Sequence, residues 1–249
     1  MEARNATIKQ TMLSTAMLAI LMGVFYASAG RIDIPRSWFL FCVAFVYFVA
    51  SNLALYRYNP GLLIQRLKIR REGSKTWDEV LMRVHNLTAL LLLPAMAGLD
   101  VGRYRWSSLG LPYAIVGVVS LAVSSVLINW AMIENPYFEP TVRIQNERGH
   151  QVVTTGPYAI VRHPGYLSGI LWIASVPLIL GSLYALAPFA LYTVLMTLRT
   201  YLEDRTLQEE LPGYTEYAER VKYQAFPGDL VDHRGFCGTR AGGFNNWCG

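Results

Sequence analysis

The sequence predicts an all-α membrane protein: four transmembrane helices plus a C-terminal helical hairpin, with a small cytoplasmic cofactor pocket. Three observations carry this. The 249 residues are 53% hydrophobic and only 16% charged, where soluble domains carry about a quarter charged residues. The charges gather in short blocks separated by long neutral stretches, which a soluble core does not require. The basic residues are also unequally shared between the two sides of those stretches, as in a multi-pass chain.

Each span follows from its neutral stretch. A helix needs about 20 apolar residues to cross the hydrocarbon core. No charged residue lies between Gln10 and Gly30, or between Ser37 and Tyr56. The first of these exceeds a typical signal-peptide apolar region and is followed at once by Gly30-Arg31 and a second span, so it reads as a retained span. Val84 to Leu99 is shorter, and its helix is expected to begin near Asp78 with its first turns in the headgroup layer. Trp106 to Ile133 is neutral and long enough to cross with tilt, and Pro136 ends that helix at Asn135. His163 to Leu198 contains no Asp, Glu, Lys or Arg over 36 residues but includes Pro177, Gly181 and Pro188. It is too long for one span and is predicted to be a hairpin turning near Gly181-Ser182.

Orientation follows from the loops. One side receives 18 of the 22 Lys and Arg residues and the other receives Arg31, Arg36, Arg103 and Arg105. Positive charge marks the cytoplasmic side, so both termini and the two longest loops are expected there. The net charge of +5 fits anionic headgroups rather than nucleic acid, for which no motif is present. Cys42, Cys237 and Cys248 have neither metal-ligand nor redox spacing and read as free thiols. No metal site is expected, and the oligomeric state is not legible.

The chain divides into N-terminal transmembrane helices over 1–133, a core over 134–227, and a Gly-rich, disordered tail over 228–249. Residues 57–83 read as a basic, solvated connector touching headgroups. Residues 134–166 are richer in chemistry. Gln151 to Thr154 is a candidate strand, Gly156-Pro157 a turn, and Arg162-His163-Pro164 opens the hairpin with proline in the first helical turn. A loop of Arg, His, Tyr and Gln running into a membrane helix is a candidate cofactor cradle, although Arg162 and His163 could equally snorkel to headgroups. At the hairpin exit, Arg199 and Glu203 lie four apart on one helix face with Leu207 a turn further on. A surface ion pair and a paired cofactor-and-substrate contact both fit that spacing.

Two separated motifs go further. Val153-Thr-Thr-Gly-Pro-Tyr158 with Arg162-His-Pro-Gly-Tyr166-Leu-Ser-Gly169 precedes the hairpin. Arg199-x-x-x-Glu203-Asp204-x-x-Leu207 with Leu211-Pro-Gly-Tyr214-x-x-Tyr217 follows it. In order and spacing they resemble the isoprenylcysteine carboxyl methyltransferase family over residues 141–227. Asp204 departs from the pattern, which usually has a second Glu, but the charge is kept. The first three spans are similar to the family only in being membrane helices.

The resemblance implies S-adenosylmethionine as cofactor, held without a Rossmann domain, and no G-x-G-x-x-G follows a strand here. It implies a cofactor pocket lined by Gln145, His150, Gln151, Val152 and Val153. Tyr158, His163, Pro164, Gly165 and Tyr166 complete it, and Glu203 reaches the cofactor from the far side. Arg199 matches the family's substrate-orienting arginine and is the candidate catalytic residue. The expected acceptor is lipid-like or prenylated, enters from the bilayer, and is methylated on a carboxylate that needs no base. Three other classes stay open: a phospholipid or thiol methyltransferase, an NADPH-dependent membrane reductase of the sterol type, and a purely structural membrane protein. Binding of S-adenosylhomocysteine or of NADPH separates the first two.

Overall fold

The computed structural model describes residues 1–67 and 73–225, and among these the secondary structure is helical with no strand. Four helices are long and apolar enough to cross a membrane: α1 Glu2–Ala29, α2 Pro35–Tyr58, α4 Thr76–Tyr104 and α5 Leu111–Glu134. The short α3, Pro60–Arg66, lies between α2 and α4. At about 1.5 Å per residue, the 24 residues of α5 reach past a hydrocarbon layer of about 30 Å. Large apolar side chains point outwards along these helices, with Val46 65% and Val126 68% exposed. Such faces suit lipid rather than water. The helix starts and stops follow local chemistry. Pro35 and Pro112 sit in first turns, where the missing N–H has no partner to lose. Asn135 ends α5 as Pro136 requires.

Helix α4 is irregular for a reason its sequence contains. Pro94 removes an amide donor and its ring crowds the carbonyl four residues earlier. The turn before it, Thr88–Leu92, widens to π-helical form, and Leu99–Tyr104 does so again. The wider turns accommodate the break without ending the helix.

The hairpin consists of α6 Pro164–Leu180 and α7 Leu186–Glu210. It turns where expected, with Gly181 at φ +83° and its N–H donating to the Pro177 carbonyl. Asp100 fastens this end: it accepts bonds from Ser107 Oγ and Ser182 Oγ at 2.6 Å each, and from the Tyr184 amide at 3.2 Å. Helix α6 packs closely on α5 at Gly117, where a Cβ would meet the Ile179 amide nitrogen at 2.9 Å.

The opposite end gathers the start of α1, α3, the start of α4, the end of α5, the 135–163 segment, the end of α7 and α8 (Tyr214–Arg220). Two expectations are corrected there. The 57–83 connector is not simply solvated: Leu62 and Leu63 are fully buried in a cluster with Ala6, Leu55 and Met132. Gln151 to Thr154 has no strand partner among the described residues. Helix α4 begins at Thr76, near Asp78 as expected, and Asp78 is 0% exposed. The tail, Cys237 and Cys248 lie outside the described residues, whereas Cys42 is a free, exposed thiol.

Candidate functional site

A cavity of about 370 Å³ opens at this end between the 135–163 segment, α4 and the hairpin. Every residue assigned to the cofactor pocket or to acceptor binding lines it: Gln145, His150, Gln151, Val152, Val153, Tyr158, His163, Pro164, Gly165, Tyr166, Arg199 and Glu203. The backbone path explains how. After α5 the chain folds back over its own end, where Gln145 Nε2 donates to the Tyr137 carbonyl at 2.8 Å and Arg148 Nη1 to Gln145 Oε1 at 2.6 Å. His150 packs on the Tyr137 ring with centroids 4.4 Å apart. Burial, together with the nearby charges of Arg148 and Arg143, pushes its pKa down to about 4, so the ring is neutral at physiological pH. Gly165 allows α6 to start against Phe138, whose ring carbons would lie 2.6 Å from an added Cβ.

The acidic pair at the hairpin exit divides its work. Asp204 is buried and faces away from the cavity as a hub. It takes both forks of Arg162 at 2.8 Å, His163 Nε2 at 3.0 Å, the Tyr214 hydroxyl at 2.8 Å and Gln208 Nε2 at 2.7 Å. Arg162 also donates to the Val221 carbonyl at 2.7 Å, which closes the end of α8. Neither Arg162 nor His163 snorkels to headgroups, since each is 6% exposed. His163 stacks on Tyr166 at 5.6 Å.

Glu203, by contrast, faces the cavity and accepts the Tyr166 hydroxyl. Its expected partner on the same helix face, Arg199, turns elsewhere. Arg199 Nε lies 2.6 Å from Asp78 Oδ1, and Nη2 lies 3.2 Å from Asp78 Oδ2 and 2.7 Å from the Pro140 carbonyl. The surface ion pair is therefore replaced by a buried one reaching 121 residues back along the chain. The guanidinium also sits 5.1 Å from the Tyr166 ring centroid, within cation–π range. Its Nη1 takes part in none of these bonds.

The sequence signals missed Asp78, Glu139, His85 and Thr141. Glu139 lies in the cavity lining with its side chain 2% exposed and paired with Arg143 at 2.9 Å. His85 Nε2 and Thr141 Oγ1 are the buried side-chain polar atoms without a hydrogen-bond partner among the described residues, and both residues line this cavity. For Asp78, the one available signal was an acid opening an apolar span. No motif marked the others.

These features define a multi-spanning membrane protein whose candidate site lies at the open end of a helical hairpin. Residues 115–209 match the model of the isoprenylcysteine carboxyl methyltransferase (ICMT) family, in agreement with the resemblance read from the motifs over that stretch. The chain is 30% identical over 131 residues to the cobalt-zinc-cadmium resistance protein CzcN of Cupriavidus metallidurans, covering 51% of this chain and 56% of that protein. The chain thus spans little more than half the length of that relative. It is 26% identical over 197 residues to a probable protein-S-isoprenylcysteine O-methyltransferase of Oryza sativa, covering 75% of this chain and 93% of the relative. A solved structure of the eukaryotic intramembrane Ras methyltransferase ICMT aligns at 16% identity and TM-score 0.48, over 91% of this chain and 97% of its own.

Proposed function

We propose that this protein transfers a methyl group from S-adenosylmethionine to a carboxylate on a hydrophobic, membrane-held acceptor, a lipid-like or prenylated molecule. The observation that carries the reading is the cavity at the hairpin exit, which sets the Arg199 guanidinium, the Glu203 carboxylate and a set of tyrosine rings around one space.

The residues present fit such a cofactor. The volume lies in the range of small-molecule sites, and two lining polar atoms are buried without partners among the described residues. Aromatic faces and the Glu203 carboxylate suit a cation, since ring quadrupoles attract positive charge. Gln145, His150 to Val153, Tyr158, His163 to Tyr166 and Glu203 would hold it. When bound, it supplies an electrophilic methyl group on a sulfonium. Glu203 would offer its carboxylate to that positive charge, and neutral His150 would add no repulsion. Arg199, fixed by Asp78, would hold one acceptor oxygen through Nη1 and leave the other free to attack. An ionised carboxylate needs no base at neutral pH; the site's task is to orient the acceptor and exclude water. The acceptor would enter sideways between helices, and the cofactor from the cytoplasmic side, where 18 of 22 basic residues fall.

Labelled-methyl transfer to a prenylcysteine analogue and to extracted lipids tests the reading, with S-adenosylhomocysteine and NADPH binding measured on the same detergent-solubilised protein. Transfer with S-adenosylhomocysteine binding is expected. NADPH binding without S-adenosylhomocysteine binding overturns it in favour of a reductase. Orientation is tested by labelling a cysteine placed at exposed Glu147; reaction from outside intact cells overturns the cytoplasmic assignment.

A further inference from the structure

Two antiparallel helices pack against each other beside the cavity in matching steps. On α4, Asp78, Met82, His85 and Ala89 recur at intervals of four, three and four, which is one helix face. Asp78 meets Arg199. One level deeper, the His85 ring lies 4.5 Å from the Tyr192 ring, and Ala89 packs on the cluster of Ile170, Tyr192 and Met196. Seven residues separate Asp78 from His85 and also Arg199 from Tyr192, so the two levels are about 10 Å apart along the helices. Helical side chains lean towards their own N-terminus. In this antiparallel pair, Arg199 therefore leans towards the deeper level and His85 leans back towards it.

His85 is incompletely satisfied. Its Nδ1 lies 3.2 Å from Asn86 Oδ1. A carboxamide oxygen can only accept, so Nδ1 carries the proton and Nε2 presents a lone pair. That Nε2 is buried without a partner among the described residues, and an unmet buried polar atom is costly. Resting on the methyl-transfer reading above, we propose that His85 Nε2 is a specificity-determining contact. It accepts a hydrogen bond from an N–H or O–H group that the acceptor carries close to the carboxylate held by Arg199. The preferred acceptor is then a hydrophobic amphiphile bearing an amide or hydroxyl donor next to its acid.

The test compares two analogues of equal tail length in the full-length protein loaded with S-adenosylhomocysteine: an N-acyl S-prenylcysteine, which has the N–H, and an S-prenyl thiopropionate, which lacks it. Their affinities are read by calorimetry, and methyl transfer to each is measured separately. Wild type is expected to bind the amide about two- to tenfold more tightly, the worth of one net hydrogen bond. His85→Phe is expected to reduce that ratio to near one while cofactor affinity holds. His85→Gln, whose amide oxygen can accept, should restore part of it and covers the case in which the phenylalanine variant fails to fold. Equal affinity of the two analogues for wild type, or an unchanged ratio in both variants, overturns the proposal and leaves a resident water as the partner of Nε2. Loss of turnover on both analogues with the ratio intact also overturns it, since His85 would then act on the chemical step. Binding preference without methyl transfer would instead sink the functional reading and spare this one. Failure of both analogues to bind sinks both.

Discussion

Replacing Asp78 by Asn isolates what holds Arg199 in place. The carboxylate accepts Arg199 Nε at 2.6 Å, Arg199 Nη2 at 3.2 Å and the Val142 amide at 2.8 Å, all in a site with Asp78 0% exposed. Removing one partner of a buried ion pair costs about 3–5 kcal/mol. Asparagine keeps one oxygen able to serve Val142 or Nε, so the loss specific to the guanidinium is nearer that of one charge-assisted bond, about 1.5–3 kcal/mol. If Arg199 orients the acceptor, that loss appears as a roughly ten- to hundredfold fall in acceptor kcat/KM. The cofactor dissociation constant should change by less than about twofold, because Asp78 lies outside the cavity lining. The measurement is labelled-methyl kinetics with each ligand varied in turn, alongside thermal unfolding in the same detergent. An Asn variant that unfolds earlier yet keeps acceptor kcat/KM would show the pair to be scaffolding, and the role assigned to Arg199 should then be withdrawn.

Other expectations concern separate parts of the site. Glu203→Gln should raise the S-adenosylmethionine dissociation constant with little change in acceptor KM, measured by calorimetry and steady-state kinetics. Gly165→Ala drives a methyl group into the Phe138 ring; the cost of about 1–3 kcal/mol should lower the unfolding temperature and weaken cofactor binding together. Asp204→Asn leaves Arg162 charged and buried, so thermal unfolding should show a loss of about 3–5 kcal/mol. His150, with its pKa pushed from 6.5 to about 4, resists protonation in the folded state. Its contribution is complete above pH 6.5 and is lost as pH falls towards 4. His150→Asn should therefore flatten the unfolding temperature across that window, and an unchanged slope would refute the shift.

The spans were legible because charge-free runs are a property of single segments, and the hairpin turn because Gly181 is the one residue there suited to a left-handed corner. The cavity lining was legible through motifs that lie close together along the chain. The polar partnerships were not. Arg199 reads as the partner of Glu203 when only helix spacing is considered, and the choice of Asp78 depends on α4 lying across from α7. Asp204 reads as a twin of Glu203, yet a hundred-degree step round the helix sends it into the scaffold with Arg162 and Tyr214. Gln151 to Thr154 has the residue types of a strand, but the described residues offer no edge for it to join.

The Asp78–Arg199 contact joins a residue before the family-matched stretch to one inside it. The core over 115–209 is thus not self-sufficient: grafted onto the membrane helices of a relative that lacks an acid at this level, its arginine would be stranded. Conversely, front helices that preserve this one anchoring point can vary elsewhere without leaving the buried arginine unpaired.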